Sequence, residues 1–600
     1  MDDQNKNLIL ATALSFLVIL VWFVLFPPEE PVVDPNAPEV SETTNVPAVD
    51  ATPLATTDAT APAGGETAVA EAARIKVETE ALSGTISLAG GRIDDLKLTQ
   101  YKETIEPDSP QVTLLHPEGT PGGYFSLFGW APGGALDFAD VPGPSTAWRQ
   151  VGEGDLTPET PVTLEWSNGK GLTFQRTIAV DADNMFTVTQ TVRNASGAEV
   201  RLAPYAEVVR EGEPSDLKGF FIIHEGAIQQ TGGELNELSY KDLRNLDSDD
   251  VWGPSTEVTS VAQNGWVGFT DHYWMTTIIP AQNESFKSVL RYEPRTDRYK
   301  TIARRDAMTV PAGASASVET RFFAGAKEWE QLRTYEDQGV YRFVDAIDWG
   351  WFFFLTKPIF RLLHALNGFI GNMGWSIIVL TLIIKGILFP LAYRSYVSMA
   401  KMKELQPEME KIKEKAGDDR QKLQQEMMAL YKKEKVNPAS GCLPILMQIP
   451  IFFSLYKVIF VTIELRHAAW FGPFQDLSAP DPTSIMNLFG LLPFAGPEPG
   501  TLMATIFLGI LPLLLGISMW LQQKLNPAPT DPTQAMVFAW MPWVFMFMLG
   551  SFASGLVVYW IANNTITFTQ QYLIMRSQGY KPDVLGNITS SFRRKKPESK

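Results

Sequence analysis

The residue best placed to do chemistry is Lys385, a cation inside the nearly all-apolar stretch from Met373 to Tyr393. A lysine deep in a membrane span costs several kcal/mol on most scales, and such residues commonly mark substrate or ion pathways. At about 1.5 Å of rise per residue, Lys385 lies roughly 12 Å from the Tyr393 end of a continuous helix. Snorkelling of the long side chain to the interface is the alternative. Gly386 and Pro390 favour a functional interpretation, because they predict a close helix contact and a kink beside the charge.

Other polar side chains of the apolar segments could line a groove that holds water beside Lys385. Moving a polar segment across hydrocarbon is costly because its backbone and charges lose their hydration, and a groove that holds water partway shortens that path. Hydrogen bonding between neighbouring helices is the alternative for each side chain. The predicted groove residues are Lys385, Gln448, Asn563, Asn564, Thr567 and Gln571, with Thr565, Thr569 and Gln570 as further polar groups.

Lys457 is a second cation within an apolar segment. On a continuous helix it would lie roughly 10.5 Å from Glu464 and on the same face. We interpret Lys457 as a structural or snorkelling residue.

The sequence carries no constellation typical of an enzyme. His116, His224 and His272 are scattered without metal-ligand spacing, and no Walker loop is present. We therefore predict no catalytic activity, no cofactor and no metal. Two other classes are alternatives: an ion-coupled transporter that uses Lys385, which predicts internal repeats that are not evident, and an envelope enzyme acting on sugar or lipid, which needs an acid–base cluster.

Six apolar segments are long enough to cross a bilayer. The first, Leu8 to Phe26, lacks a small-residue cleavage pattern, so we interpret residues 1–26 as an uncleaved anchor rather than a signal peptide. Ile485 to Phe494 is shorter and is interpreted as interfacial or re-entrant. The remaining five predicted spans, which form a helical core over residues 373–580, are 373–393, 442–465, 501–521, 536–552 and 555–574.

Charge predicts the orientation of these spans. Arg394 to Lys435 holds 11 Lys and Arg against 8 Asp and Glu, and Arg576 to Lys600 holds 7 against 2. By the positive-inside rule both regions are cytoplasmic, which with six spans places both termini inside. The net charge of −17 therefore belongs mainly to the exported part, and sequence-specific nucleic-acid binding is not expected.

The exported part is predicted to begin with a tether and to continue as a β-sandwich. Residues 27–73 are rich in Pro, Ala, Thr and acid, which is typical of a disordered linker. Residues 74–330 contain short alternating runs, such as Leu172 to Ile178, broken by turn residues. This pattern predicts a large all-β sandwich, exported with the tether. The one cysteine, Cys442, lies in a predicted span, so we expect a sandwich without disulfides.

Two further segments are amphipathic. Residues 331–372 include Trp349 and Trp351 and are interpreted as a helix in the headgroup plane, with an ordinary helix packed under the outer domain as the alternative. Residues 396–437 carry a Met-rich apolar stripe on both sides of a turn and predict an antiparallel cytoplasmic hairpin. Such a stripe suits a client surface or the hairpin's own core. The predicted client contacts are Met402, Met409 and Met427, and residues 581–600 are predicted to form a basic cytoplasmic tail.

An ordered set of short motifs runs from Trp375 to about Ile574. In chain order it comprises Ser398-Met399-Ala400-Lys401-Met402, Leu405-Gln406-Pro407, Gln425 to Tyr431, Val436-Asn437-Pro438, Gly441-Cys442-Leu443-Pro444, Gln448, Pro450-Ile451-Phe452, Glu464-Leu465-Arg466, Asp476-Leu477-Ser478, Asp481-Pro482, Asp531-Pro532, Met541-Pro542, Ser554-Gly555-Leu556, Tyr559-Trp560 and Gln570-Gln571. This set resembles the YidC/Oxa/Alb family of membrane protein insertases. The anchor, tether and sandwich resemble its Gram-negative form with fewer matching residues.

The resemblance implies a membrane protein insertase and chaperone of the bacterial inner membrane, acting alone or with the Sec translocon. In the family, five spans enclose a hydrophilic groove whose cation, usually Arg, attracts the acidic flank of an incoming segment. Lys385 matches that position and keeps the charge without the bidentate fork of Arg. Two other departures are Ala553, where Pro is common, and the long stretch from Asp481 to Thr501.

The same resemblance implies four kinds of partner. These are nascent membrane proteins, the translocon components SecYEG and SecDF, the ribosome or signal recognition particle machinery at the hairpin and basic tail, and membrane lipids.

Overall fold

The computed structural model describes residues 73–219, 223–417, 419–434, 443–492, 496–497, 501–526 and 532–579, together with residues 47 and 494. The predicted anchor (1–26), the predicted tail (581–600) and all of the predicted linker except residues 47 and 73 lie outside the described residues.

The N-terminal half of the described chain is built from antiparallel strands. In chain order they are β1 (Arg74–Glu78), β2 (Leu82–Ser87), β3 (Arg92–Lys102), β4 (Gln111–Leu115), β5 (Tyr124–Gly133), β6 (Arg149–Val151), β7 (Val162–Ser167), β8 (Leu172–Val180), β9 (Met185–Asn194), β10 (Val200–Glu211), β11 (Gly226–Thr231), β12 (Leu235–Ser239), β13 (Thr256–Val261), β14 (Gly265–Thr270), β15 (Trp274–Pro280), β16 (Phe286–Glu293), β17 (Arg298–Arg305), β18 (Met308–Val310) and β19 (Ser315–Ala326).

These strands form two sheets. One has the order β1-β2-β3-β5-β10-β17-β16-β13, with β4 paired to β3 and β18 paired to β10. The other has the order β12-β11-β14-β15-β19-β9-β8-β7-β6. The two sheets enclose a common apolar core, in which Phe128 of the first meets Phe322 of the second edge-on at 6.2 Å. The predicted β-sandwich is therefore confirmed.

Alternation along the strands determines which side chains enter this core. In β8 every second residue, from Leu172 to Val180, is buried, and the register pairs Phe174 with Val192 and Ile178 with Val188 of β9. A one-residue slip would turn all of these side chains to water, so the apolar pattern fixes the register.

Arg176 interrupts the apolar pattern of β8 because it is buried at an inward position. Its Nη1 donates to the carbonyl oxygens of Gly90 at 2.9 Å and Gly91 at 2.8 Å, and its guanidinium lies 4.6 Å from the ring of Trp148. Gly91 has φ +62°, and a Cβ there would lie 2.4 Å from Arg176 Nη1. The glycine backbone thus makes room for a charge that the carbonyls solvate.

The helices begin inside the sandwich and continue to the C-terminal end of the described chain. They are α1 (Tyr240–Arg244), α2 (Trp329–Asp337), α3 (Phe353–Ile370), α4 (Met373–Ile387), α5 (Phe389–Glu404), α6 (Gln406–Ala416), α7 (Arg420–Lys433), α8 (Leu443–Val461), α9 (Leu502–Ile506), α10 (Ile510–Leu525), α11 (Pro532–Met548) and α12 (Ser554–Ser577).

Two predicted spans are not continuous helices. The stretch 373–393 is bent by 69° between α4 and α5. Pro390, at the start of α5, explains the bend, because proline lacks an N–H and its ring clashes with the carbonyl four residues earlier. The stretch 501–521 is interrupted between α9 and α10. Over the described residues, no single helix is both long and apolar enough to cross a bilayer, whereas α4 and α5 together meet that test.

A cap from a distant loop accounts for the start of α10. Asp481 Oδ2 accepts a hydrogen bond from Leu511 N at 2.8 Å, and Thr483 Oγ1 accepts one from Ile510 N at 2.9 Å. A Cβ at Gly509 would lie 2.3 Å from Asp481 Oδ2. The loop therefore satisfies N–H groups that a new helix start leaves without intrahelical partners.

A second apolar core joins the sandwich to the helices. It extends from Trp266 and Phe323 of the sandwich, through Phe343 and Phe360, to Ile377 of α4, and it includes residues of α8 and α12. The sandwich therefore packs directly on the helical region.

The amphipathic segment divides its aromatic residues between this core and the surface. Trp349 is 5% exposed, packs on Phe360 at 5.4 Å and donates its indole N–H to Val344 O at 3.0 Å. Trp351 is 94% exposed and Phe353 is 56% exposed. The interfacial prediction for Trp349 is thus wrong, because that ring is in the core, whereas Trp351 is available to an interface.

Candidate functional site

Lys385 lies in the last turn of α4, next to the bend that separates α4 from α5. The predicted 12 Å to the helix end is therefore wrong, since the helix ends two residues later at Ile387. The predicted close helix contact at Gly386 is also wrong, because a Cβ built there would meet nothing within 4 Å. A helix C-terminus favours a cation, since unpaired carbonyl groups leave it partially negative.

A chain of hydrogen bonds connects Lys385 to two other helices. Lys385 Nζ donates to Gln448 Oε1 of α8 at 3.1 Å, and Gln448 Nε2 donates to Tyr559 Oη of α12 at 2.7 Å. Because an ammonium group can only donate, it orients the Gln448 amide so that the NH₂ group points to Tyr559. Two of the predicted groove residues, Lys385 and Gln448, are thus in direct contact.

The predicted polar residues of α12 form a stripe that continues from Tyr559. Tyr559, Asn563, Thr567 and Gln571 recur every four residues and are all at least nine-tenths buried. At about 1.5 Å per residue the stripe is roughly 18 Å long. A continuous row of buried polar groups therefore starts at the Lys385 site and follows α12 towards its C-terminal end.

Two polar residues of α12, Gln571 of this stripe and the adjacent Asn564, bond to the neighbouring helix α10 or to the residue just after it. Asn564 Nδ2 donates to Ser518 Oγ at 3.1 Å, and Gln571 Nε2 donates to Asn526 Oδ1, just after α10, at 3.1 Å. These contacts are the helix–helix hydrogen bonds named above as the alternative. Asn563 Oδ1 differs, because among the described residues it is buried without a hydrogen-bond partner.

Sequence reasoning missed three members of the site: Tyr559, Ser518 and Asn526. The four-residue spacing from Tyr559 to Asn563 was a signal for the first, since residues at that spacing share a helix face. Ser518 and Asn526 could be found only once the pairing of α10 with α12 was known.

Lys457 is part of a separate, structural contact. Its Nζ lies 2.5 Å from Asp348 Oδ2, and each of these two side chains is 13% exposed. Asp348 also accepts hydrogen bonds from His224 N and Gly350 N, each at 3.1 Å. Glu464, the predicted neighbour, lies beyond the end of α8 in a short 3₁₀ turn.

The predicted hairpin of residues 396–437 corresponds to α6 and α7, but residues 396–404, which include Met402, belong to α5, and residues 418 and 435–437 lie outside the described residues. Met409 is buried, and its Sδ lies 3.9 Å from Tyr431 Oη, so it belongs to the hairpin's own core. Met402 and Met427 are half-buried, and Met428 is 48% exposed. Of these four methionines, Met428 is therefore the most exposed and Met409 the most buried.

The histidines of the sandwich have separate structural contacts. His224 Nε2 contacts Ala227 O at 2.9 Å, and His272 Nε2 contacts Phe460 O at 2.5 Å. Across the described part of the chain, no group of three or more His, Cys, Asp or Glu side chains could hold a metal ion.

Two family models cover most of the chain. The YidC periplasmic domain matches residues 74–362, and the 60Kd inner membrane protein family matches residues 365–581. A membrane protein insertase YidC from Dinoroseobacter shibae is 65% identical over 603 residues, covering 100% of this chain and 99% of the relative. Another, from Roseobacter denitrificans, is 64% identical over 607 residues, covering 100% of each.

A solved structure of an active YidC insertase with its first transmembrane domain resolved is also similar. It covers 83% of this chain and 92% of its own, at 16% identity and a TM-score of 0.34. The full-length matches to the curated relatives and the two family models decide the assignment: this chain belongs to the YidC family of membrane protein insertases.

Proposed function

We propose that this chain inserts integral membrane proteins into the inner membrane of a Gram-negative bacterium and helps them fold. The full-length relatives named membrane protein insertase support this activity. The structural observation that carries the proposal is the hydrogen-bonded chain from Lys385 through Gln448 to Tyr559, continued by the polar stripe of α12.

The polar stripe provides hydrogen-bond partners that can replace water around the hydrophilic flank of a client. A flank that enters hydrocarbon loses its hydration, and each unpaired polar group then costs free energy. Asn563 and Thr567 share a face of α12 with Tyr559, which the Lys385 ammonium reaches through Gln448. A flank that exchanges its hydration for these groups faces a shorter apolar path.

Lys385 selects the charge of the flank. Its ammonium group attracts a client carboxylate, and Gln448 and Tyr559 hold it in place. A lysine recognises a carboxylate as a point charge and without the two-pronged geometry of arginine. Clients with acidic flanks are therefore the group most dependent on this residue.

We propose six spans with both termini in the cytoplasm and the sandwich in the periplasm. The excess of Lys and Arg in the hairpin and in the C-terminal region supports this orientation. The bent pair of α4 and α5 supports a span that leads into the hairpin.

The hairpin is the proposed contact for the ribosome or the signal recognition particle machinery. Lys411, Lys413 and Lys415 lie on α6, and Met428 lies exposed on α7, so charge and an adaptable apolar surface occur side by side. SecYEG and SecDF are the proposed partners for clients that also use the translocon.

Insertion into liposomes tests the proposed role of Lys385. Full-length protein is reconstituted, and a single-span client is supplied with either an acidic or a neutral translocated flank. We expect Lys385→Arg to insert both clients and Lys385→Gln to fail selectively on the acidic one. The neutral-flank client is the matched control for folding of the variant. Equal insertion of both clients by Lys385→Gln would remove the electrostatic role.

A further inference from the structure

A cavity of about 690 Å³ lies where the sandwich, the segment before α3 and helix α8 meet. This volume is within the range of small-molecule sites, roughly 300–1,000 Å³. The cavity is lined by both charged and aromatic side chains. It is separate from the Lys385 site, since it shares none of the predicted groove residues.

One end of the cavity is positive. The Asp345 carboxylate accepts a hydrogen bond from Arg342 Nε at 2.6 Å and another from Lys357 Nζ, also at 2.6 Å. One carboxylate therefore serves two cations, and one positive charge is left uncompensated. Both cations remain partly exposed, with side-chain exposures of 46% for Arg342 and 32% for Lys357.

The other end of the cavity is negative. Lys457 pairs with Asp348 at 2.5 Å, and the Glu237 carboxylate of β12 also interacts electrostatically with this pair. Among the described residues Glu237 makes no ion pair or hydrogen bond of its own. At this end of the lining, Lys457 is the cation beside both carboxylates, and Lys327, which lies outside the lining, also acts electrostatically on Glu237. Desolvation inside the cavity, followed by the charge of Asp348, raises the pKa of Glu237 to about 7, while part of the side chain remains exposed to solvent.

Gly350 makes the negative end possible. It has φ +68°, and a Cβ there would lie 2.8 Å from Lys457 Cε. Glycine therefore permits the close approach of Lys457 to Asp348.

Aromatic rings form the wall and rim of the cavity. Phe352 and Phe453 stack with their ring centroids 6.4 Å apart, and both line the cavity. At the rim, Trp351 is 94% exposed and Phe353 is 56% exposed. Exposed Trp and Phe beside basic residues are typical of a surface at the membrane–water boundary.

We propose that this cavity binds the headgroup of a membrane phospholipid that carries a primary ammonium group, as phosphatidylethanolamine does. The phosphate binds Arg342 and Lys357, the ammonium binds Glu237 and Asp348, and the acyl chains lie along Phe353 and Phe453. The separated charges match a zwitterion. An anionic headgroup would be repelled at the Glu237 end, and a trimethylammonium group has no N–H to donate to a carboxylate.

Native mass spectrometry of the full-length protein in detergent tests this site. The protein is titrated with dioleoyl phosphatidylethanolamine, phosphatidylcholine or phosphatidylglycerol. We expect phosphatidylethanolamine to bind about tenfold more tightly than the other two lipids. A difference of this size corresponds to the contribution of one charged hydrogen bond. Glu237→Gln should remove this preference. Lys357→Gln should weaken the binding of both zwitterionic lipids, phosphatidylethanolamine and phosphatidylcholine.

Glu234→Gln, at an exposed position next to β12, is the matched control and should bind lipid as the unmodified protein does. Unchanged ethanolamine preference in Glu237→Gln, or tightest binding of phosphatidylglycerol, would overturn the proposal. Soluble phosphoethanolamine that bound as tightly as the lipid would also overturn it, because the acyl chains would then contribute nothing.

Discussion

Lys457 and Asp348 form a mostly buried ion pair that ties α8, the helix that carries Gln448, to the segment leading into α3. The same carboxylate is held by backbone N–H groups of His224 and Gly350. The sandwich, the amphipathic segment and α8 thus meet at one residue. The second apolar core includes residues of the sandwich, of the amphipathic segment and of the helices. The sandwich and the helices are therefore parts of one packed unit.

Removal of one partner of this pair should destabilise the protein. Lys457→Met leaves Asp348 charged and mostly buried, and a broken buried pair typically costs about 3–5 kcal/mol. Asp348→Asn combined with Lys457→Met removes both charges and keeps an acceptor for the two N–H groups, so its loss should be smaller. Thermal unfolding in detergent measures the stability loss of the single and of the double variant. Equal losses for the single and the double variant would show that the unpaired charge of Asp348 carries no cost.

Tyr559→Phe should impair the groove without disturbing the helix packing. The hydroxyl holds Gln448 at 2.7 Å, and Gln448 in turn holds Lys385. Loss of the hydroxyl leaves the N–H of the Gln448 amide unpaired, and an unpaired buried group of this kind costs about 1–3 kcal/mol. We expect slower insertion of acidic-flank clients, with neutral-flank clients much less affected.

Tyr572→Phe is the matched control on the same helix, because its ring packs on Phe568 within an apolar cluster. It should insert both clients at the normal rate. A similar defect in the two variants would attribute the effect to packing along α12 rather than to the Lys385 chain.

Asp481→Ala should destabilise the start of α10. The carboxylate accepts from Leu511 N and from the backbone and hydroxyl of Thr483. Loss of a helix cap usually costs about 1–2 kcal/mol. Asp481→Asn keeps an acceptor and should lose less. Thermal unfolding separates the two variants, and an unchanged melting temperature for Asp481→Ala would show that α10 begins without this cap.

Ethanolamine lipid binding should strengthen as pH rises from 6 to 7.5. Glu237, with a pKa of about 7, is mostly protonated at pH 6 and mostly ionised at pH 7.5, which allows up to about an eightfold increase. The facing groups are Asp348, Lys457 and Lys327, with His224 nearby. Burial lowers the pKa of Lys327 to about 8, so Lys327 stays mainly charged over this interval, and burial also lowers the pKa of His224.

The pH series is measured by the same mass spectrometry titration. Glu237→Gln should show no rise, because it has no proton to lose. A rise of equal size in Glu237→Gln would assign the pH dependence to another group.

Local sequence pattern predicted the elements better than their contacts. The alternation of β8 and the turn of the hairpin follow from side-chain period and turn residues alone, and both are as predicted. Lys385 and Gln448 were found because polar groups in apolar segments stand out. Their partner Tyr559 did not stand out, since tyrosine is ordinary in a membrane helix and only the packing of α8 on α12 shows its role.

The misjudged features all depend on long-range packing. Pro390 predicted a kink, but the apolar run from Met373 to Tyr393 does not reveal that the bend reaches 69° and ends the helix at Ile387, because the direction of α5 depends on its packing against α12. Trp349 and Trp351 are neighbours of the same type in one amphipathic segment, and only the second core separates their environments. The pairing of Lys457 with Asp348 joins residues more than a hundred positions apart.

These two tryptophans give the last prediction. Trp349→Ala removes a core ring that packs on Phe360 and should cost about 3–5 kcal/mol of stability.

Trp351→Ser together with Phe353→Ser changes exposed rings and should leave the melting temperature in detergent nearly unchanged. The same double variant should reduce insertion in liposomes, because α3 loses its hold on the headgroup region and no longer sets the tilt of α4. Normal insertion by a stable Trp351→Ser, Phe353→Ser protein would show that the exposed face of α3 does not anchor the groove helices.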